Sequence, residues 1–564
     1  MLGLALRACR THFAWALAFS ALVNLLYLAP TIYMMQVYDR VVPTGGVLTL
    51  AFVSLATMFA LATLAALDWL RTRLLMRAGL RLESLLAAPI MARILDAPKK
   101  HSVAQGMRDF DNVRTAVSGP GILALFDAPW TPLYLACCFI LHPAIGLLTL
   151  SGGALLFALA VLNERDSRPR LRRAILSTNA AHAAQEAIVG QNEVIHALGM
   201  RQASINRQVA ERRASVNQYA DAQLSSGRYS GAIKFVRLAM QSLSLGLAAF
   251  LAVKGHISPG SIIAASVLLS RAVSPIELLV GAWPNLVQAR TSWNALVSLF
   301  ESTSDGDRPR TALPSPRGHV QLEGVTFRFD GTEAPQLKQV NLEIKPGETL
   351  GIVGPSGSGK TTLARILAGA LAPTLGTARL SGAAYDAWPS DELGVYIGYL
   401  PQHPSLFAGS IRDNISRFAA FRDRPPVDID ARTVAAAEMA GAHELILRLP
   451  QGYDTILGPF GAGVSAGQAQ RIALARAMYG GPALIVLDEP NSNLDHNGES
   501  ALMSTILASA AAGAAVVVVA HRAGVLARVD RLITMQDGII QLNGQREDVL
   551  AKIRNLSEAA RVGS

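Results

Sequence analysis

The residues Gly354-Pro355-Ser356-Gly357-Ser358-Gly359-Lys360-Thr361 have the types and spacing of a phosphate cradle, G-x-x-x-x-G-K-[ST]. A short apolar run, 350–353, precedes them, and a helix-like run over 362–370 follows. Strand, glycine-rich turn and helix let backbone N–H groups converge on an anion, and the helix N-terminus adds its dipole. Lys360 then meets the β- and γ-phosphates, and the Thr361 hydroxyl offers a ligand to Mg2+. A glycine-rich turn that matches by chance is the alternative, and the flanking elements disfavour it. Leu484-Ile485-Val486-Leu487-Asp488 is an apolar strand ending in a carboxylate, which can hold Mg2+ through water, and Glu489 follows directly. A carboxylate beside a γ-phosphate can orient or deprotonate an attacking water. Alone, this segment reads equally well as a buried strand with a solvated acidic turn; downstream of a phosphate loop the catalytic reading is preferred.

These groups need elements to position them. The chain has 564 residues, 51% hydrophobic and 16% charged, which is too apolar for an ordinary soluble protein. Six stretches are long enough to cross a hydrocarbon core of about 30 Å as helices. They lie near residues 13–35, 47–69, 121–141, 144–162, 232–253 and 261–283. The first is too long for a signal peptide, lacks a clear cleavage site and is followed by five more, so it is read as retained. Arginines crowd the two long connections, residues 70–120 and 163–231, whereas the other connections are short. That asymmetry places the long connections and both termini in the cytoplasm. It also accounts for the net charge of +10 without a nucleic-acid partner. Cys9, Cys137 and Cys138 form no C-x-x-C or Cys/His cluster, so a disulfide framework and a zinc site are unsupported. Cys137 and Cys138 read as small buried hydrophobes.

The long connections are rich in Ala, Leu, Arg, Glu and Gln with apolar residues at helical spacing, so the spans are expected to continue into the cytoplasm. The pattern breaks over residues 98–111 and again near Val189-Gly190-Gln191, which are read as tips suited to docking on a cytoplasmic domain. Residues 302–318 (STSDGDRPRTALPSPRG) are polar and rich in Pro and Gly, and read as a linker between a membrane domain, 1–301, and a domain at 319–564. In the latter, β-like runs at 320–322, 350–353, 484–487 and 516–519 alternate with helical stretches at 362–370, 466–479 and 499–511. Such alternation predicts a parallel sheet.

Val464-Ser465-Ala466-Gly467-Gln468 resembles the signature of ATP-binding-cassette (ABC) ATPases, usually L-S-G-G-Q. The other elements of that family can be matched in order. The resemblance implies that Phe329 stacks on adenine and that Gly354 to Thr361, with Thr362, binds the phosphates of ATP. It implies that Thr361, Gln402 and Asp488 serve Mg2+, with Gln402 also sensing the membrane domain. Lys360, Gln402, Glu489 and His521 would carry hydrolysis, with His521 on the γ-phosphate. Ser492-Asn493-Leu494-Asp495 matches the loop that links two ATP sites. The implied fold is an α-helical six-span transmembrane domain of the ABC exporter type followed by an α/β P-loop nucleotide-binding domain. The family works as a homodimer, with Ser465, Gly467 and Gln468 of one chain closing on the ATP of the other.

LAPTIYMMQVYDRVVP at residues 28–43, FDAPWTP at 126–132 and EPNSNLD at 489–495 resemble type I protein secretion transporters, in particular the group that exports proteases, lipases and repeat-in-toxin proteins. The resemblance implies a multi-pass inner-membrane protein that exports unfolded proteins bearing an uncleaved C-terminal signal. It works with a periplasmic adaptor and an outer-membrane channel. The chain is read as starting directly at its first span, so no N-terminal peptidase-like domain is expected. Two residues depart from the pattern: Ala466 replaces a signature glycine, placing a methyl where backbone should approach phosphate, and Pro459 stands where relatives carry glutamate in a segment linked to coupling. Reduced but real ATPase activity is expected. A lipid or drug exporter of the same architecture and a non-catalytic scaffold with a relic site are the alternatives. Within the spans, Arg271 and Glu277 read either as a helix-packing ion pair or as the wall of a hydrated conduit, and Asp127 poses the same choice.

Overall fold

The computed structural model describes residues 2–96, 103–189, 192–303, 313–329, 331–422, 425–492, 496–520 and 523–562. The chain divides into two compact units, Met1–Asp307 and Arg308–Ser564. Among the described residues of the first, six helical segments are long and apolar enough to cross a membrane: Arg10–Thr44, Val47–Asp96, Gln105–Leu141, Pro143–His182, Arg201–Val253 and Pro259–Ser302. The second belongs to one continuous helix of 50 residues. At 1.5 Å per residue such a helix is about 75 Å long, more than twice the hydrocarbon thickness. The expected cytoplasmic continuations are therefore helical.

Four details differ from the sequence expectation. A short helix, Leu2–Ala8, precedes the first span and buries Leu2 and Ala5, with Cys9 just after it, against Ala78 and Leu82. The first span does not end near residue 35. After a break at 27–28 its helix runs on through a π-helical turn, Val37–Val41, to Thr44, and the chain reverses only at Gly45-Gly46. The third span is kinked by a 3-10 turn at Ala128–Trp130, where Pro129 cannot supply the helical N–H. Finally, residues 103–111 are not part of a loop. Val103–Ser118 is a helix that buries Phe110 and Val113 among Leu82, Ile90 and Leu296; residues 97–102 lie outside the described ones, as do Gly190 and Gln191. One narrow apolar stripe on a polar stretch was too weak a signal. Cys138 is buried, as expected, whereas Cys137 is only half-buried; both are free.

The charged residues inside the spans are partnered across helices. Asp127 Oδ1 accepts from Arg71 Nη1 at 2.7 Å, from Asn24 Nδ2 at 2.8 Å and from the Ser20 hydroxyl. Arg71 Nη2 reaches Asp68 at 2.6 Å, and the Tyr134 hydroxyl donates to the Asn24 carbonyl at 2.8 Å. Asp127 is thus the hub of a buried knot joining the first three spans, not a conduit wall. Arg271 and Glu277 do not pair with each other. Arg271 lies over the Tyr27 ring, 3.8 Å from its centroid, and Glu277 is 2.9 Å from Arg237 of the fifth span. Asp39, in the π-helical turn, caps the sixth-span helix: its carboxylate accepts from Gly260 N and Ser258 Oγ, both at 2.6 Å. A Cβ at Gly260 would lie 2.8 Å from Met35 Cα, so only glycine permits this approach.

The second unit has twelve strands among its described residues. They are β1 Val320–Phe327, β2 Leu337–Ile344, β3 Thr349–Val353, β4 Leu375–Leu380, β5 Ala383–Ala384 and β6 Ile397–Leu400, then β7 Gly409–Ser410, β8 Ile456–Leu457, β9 Leu484–Asp488, β10 Ala515–Val519, β11 Arg531–Gln536 and β12 Ile539–Gln545. A central sheet has the order β12-β11-β3-β10-β9-β6, parallel except at β12, and an antiparallel sheet has the order β2-β1-β4-β5. Every residue of β9 and β10 is buried. Continuous apolar runs such as VVVV suit strands covered on both faces. The register pairs Val519 with both Ile352 and Asp488, so β3, β10 and β9 end together at one edge of the sheet.

Removing Arg71 alone takes away the only cation on Asp127 among the described residues and leaves the half-buried carboxylate with just Asn24 and Ser20 as donors, a loss of about 3 kcal/mol. Arg71→Ala is expected to lower the melting temperature of the detergent-solubilised chain sharply, and Arg71→Met combined with Asp127→Leu to recover most of it.

Candidate functional site

The phosphate loop links β3 to the helix Lys360–Leu367. Its glycines are required by geometry. Gly354 has φ +157°, and a Cβ there would lie 2.2 Å from the Met535 carbonyl oxygen; Gly359 has φ +100°, and its Cβ would lie 2.8 Å from Leu337. The loop is therefore pressed against β2 and β11 along one side. Lys360 is buried, and its Nζ donates to the carbonyls of Gly354 and Pro355 at 2.9 and 2.8 Å, curling the loop around its own ammonium. Burial lowers the Lys360 pKa, opposed by the nearby Glu489 and Asp488. Ser358 is buried as well, and its hydroxyl has no partner among the described residues. Two bracing residues had no signal in the sequence. The Gln336 side chain donates to the Gly357 carbonyl at 3.1 Å, and Gly538 N donates to the Ser358 carbonyl at 3.2 Å. They come from the ends of β2 and β11, and only the fold brings them to the loop.

Asp488 ends β9 fully buried, with neither carboxylate oxygen hydrogen-bonded. Burial pushes its carboxyl above the usual carboxylate range. The Thr361 hydroxyl opposes this, near enough to lower the value without completing a hydrogen bond, as do Arg365 and Lys360, whereas Glu489 adds to the rise. Two desolvated, donor-free oxygens beside a threonine hydroxyl match a hard divalent cation, which takes oxygen ligands only. Asp488 and Thr361 thus fit Mg2+. Glu489 follows with φ +50°, a backbone conformation that costs a non-glycine residue about 1–3 kcal/mol, and its N–H donates to the Val519 carbonyl at 2.9 Å. Gln402 lies just beyond β6. Leu400 is in register with Leu487, so Gln402 leaves the sheet at the same edge as Asp488.

Phe329 follows β1, half-buried, with its ring edge-on to Phe327 at 4.9 Å between centroids. The signature residues form a separate structure. Ser465 caps the helix Ala466–Met478: its hydroxyl accepts from Gln468 N, and Gln468 Oε1 accepts from Ser465 N at 2.8 Å. S-x-x-Q is here a reciprocal capping box. Ser465 and Ala466 are exposed and Gly467 is half-buried, with no hydrogen bond to the phosphate loop among the described residues. Gln470, buried on the same helix, donates to the Pro490 carbonyl at 2.8 Å and ties the signature helix to the segment after Glu489. Pro459 is exposed at the first position of a 3-10 turn, where its missing N–H leaves no bond unmade. Pro355 and Ser356 lie in the turn after β3, and Thr362 lies in the helix Lys360–Leu367. His521 and Asn493-Leu494-Asp495 lie outside the described residues.

Comparison with known proteins now adds to this geometry. Residues 337–492 match the family described as "ABC transporter", and residues 13–275 match "ABC transporter transmembrane region". The chain is 41% identical over 556 residues to the type I secretion system ATP-binding protein PrsD of Rhizobium meliloti, covering 97% of this chain and 94% of that one. It belongs to the type I secretion group of ABC transporters. It is also 28% identical to the cyclolysin secretion/processing ATP-binding protein CyaB of Bordetella pertussis, over 95% of this chain and 75% of the relative. Among solved structures, a bacterial Atm1-family ABC exporter with ATP bound matches with a TM-score of 0.80, at 23% identity and 98% coverage of both chains; this likeness concerns the fold. An ABC transporter of this architecture is a multi-pass inner-membrane protein with a cytoplasmic nucleotide-binding domain, which hydrolyses ATP to drive export.

Neutralising the partnerless carboxylate tests the cation site. Asp488→Asn is expected to abolish Mg2+-dependent nucleotide binding in calorimetry, yet to stabilise the nucleotide-free chain by about 1–3 kcal/mol at neutral pH. The folded-state carboxyl titrates above its unfolded value, so the wild type gains stability as pH falls from above the raised value toward the ordinary carboxylate range. The variant should show no such gain in thermal unfolding.

Proposed function

We propose that this chain is the ATP-driven inner-membrane component of a type I secretion system, exporting unfolded proteins that carry an uncleaved C-terminal signal, such as repeat-in-toxin proteins, proteases or lipases. The strongest support is the 41% identity with a secretion ATP-binding protein along nearly the whole chain, membrane spans included. The proposed assembly is a homodimer with a periplasmic adaptor and an outer-membrane channel. The proposed domains are 1–301 and 319–564, joined by a linker at 302–318.

In this reading the loop Gly354 to Thr362 binds the phosphates of ATP through its N–H groups, and Phe329 meets the adenine. Lys360 exchanges its two carbonyl partners for phosphate oxygens. Asp488, Thr361 and Gln402 hold Mg2+, which supplies charge neutralisation at the β- and γ-phosphates. Glu489 orients the attacking water and receives its proton, and His521 contacts the γ-phosphate. Ser465, Gly467 and Gln468 close the site from the second chain.

Glu489→Gln should reduce the ATPase rate in nanodiscs to background, since the amide cannot take the proton. The wild-type rate should change on adding the C-terminal segment of a cargo protein. A Glu489-dependent rate that ignores such segments but responds to lipids or hydrophobic drugs would overturn the cargo assignment. Ala466→Gly is expected to raise the rate several-fold by admitting closer approach at the signature, measured by phosphate release.

A further inference from the structure

The cytoplasmic parts of the fourth and sixth helices line a cavity of about 540 Å3. The fourth helix contributes Glu164, Arg168 and Arg172, spaced by four residues and so on one face. The sixth contributes Trp283, Arg290 and Asn294. The apolar stretches of these two spans end near Leu162 and Trp283, so the cavity begins where hydrocarbon gives way to headgroups.

Its chemistry is that of a donor-rich site. Three guanidiniums face one carboxylate. Glu164 sits 3.5 Å from Arg168, while Arg172 and Arg290 have no carboxylate partner among the described residues. Trp283 packs its ring on Leu171 and Val287, but its Nε1 is buried and donates to no described residue. Arginine and tryptophan side chains donate hydrogen bonds and accept none. A buried, unpartnered indole N–H beside two exposed, unneutralised guanidiniums is a donor set that an acceptor with several oxygens would complete, and a guanidinium fork matches phosphate in two-point contact.

We propose that this cavity binds a phosphate-bearing anion, supplied by the headgroup of an anionic phospholipid of the cytoplasmic leaflet. Arg172 and Arg290 grip the phosphate, Arg168 lends charge while held by Glu164, and the Trp283 N–H donates to an ester or headgroup oxygen. Basic pockets between helices on the cytoplasmic side are suited to such headgroups. An acidic polypeptide is the less favoured occupant, because Trp283 and Glu164 put one end of the cavity at the membrane interface, where a tryptophan is at home. The inference does not depend on what the transporter exports.

The test uses the full chain in phosphatidylcholine nanodiscs supplied with phosphatidylglycerol, released into the mass spectrometer to count retained lipids. Wild type should retain phosphatidylglycerol over phosphatidylcholine. Arg172→Gln with Arg290→Gln should lose about twenty-fold in that preference, at about five-fold per arginine. The paired lysine variant should keep part of it, and Trp283→Phe should weaken it about several-fold by removing one hydrogen bond. Arg165→Gln, exposed and outside the cavity, should change nothing. All of these residues belong to the first unit and none is among the nucleotide-binding residues, so an unchanged basal ATPase rate certifies folding. Retention that resists inorganic phosphate assigns the lipid as source; displacement by inorganic phosphate supports the anion site and assigns the free ion. Equal retention in wild type and both the glutamine and Trp283→Phe variants would overturn the proposal. So would an Arg172-dependent capture of an acidic peptide by a chain that shows no preference for phosphatidylglycerol.

Discussion

The Asp488 carboxylate ends a strand buried on both faces, with its two oxygens out of water and no donor to satisfy them. Desolvating an ion costs several kcal/mol even after relaxation, and the nearby Thr361 hydroxyl, Arg365 and Lys360 offset only part of it. The surroundings are arranged to tolerate it. Lys360 lies near but spends its hydrogen bonds on the loop's own carbonyls. Arg365 and Lys360 lower the carboxyl's affinity for a proton, whereas burial and Glu489 raise it. β9 is locked between β10 and β6, which holds the group in place with two oxygens that fit a cation.

The membrane unit meets the same difficulty and resolves it internally. Asp127 is as misplaced in an apolar helix as Asp488 is at a strand end, yet three donors from two other spans converge on one of its oxygens. A fully satisfied polar knot rigidifies and fixes which helices meet. Asp39 works similarly at the other end of the first span. The π-helical turn carries its carboxylate to the N-terminus of the sixth-span helix, where the backbone N–H groups are otherwise unpaired. One unit thus leaves an acid unsatisfied for a ligand, and the other spends its acids on helix-to-helix attachment.

Much of this was legible in the chain. Local order suffices for the phosphate loop, because strand, glycines, lysine and helix are contiguous. The six spans follow from apolar length, and their orientation from arginines. The readings that failed share one cause. The pairing of Arg271 with Glu277, the loop at residues 103–111 and the short connection after residue 35 were each judged within one segment. Arg271 instead found Tyr27 of another span, Glu277 found Arg237, and the helix at Val103–Ser118 was stabilised by residues from the second and sixth helices.

The sequence by itself determined the chemistry: a phosphate loop, a strand-end carboxylate followed by a glutamate, a signature segment and six apolar spans. These are local patterns, and short-range sterics and solvation act on them directly. Only the tertiary structure decided which polar groups would be satisfied. That Asp127 is neutralised and Asp488 is not, that Gln336 and Gly538 brace the loop, and that Arg172 and Arg290 share a cavity with an unpaired Trp283 all depend on groups far apart in the chain. Hydrogen bonds and ion pairs act over a few ångströms, so their partners are set by how the elements pack and not by order along the chain.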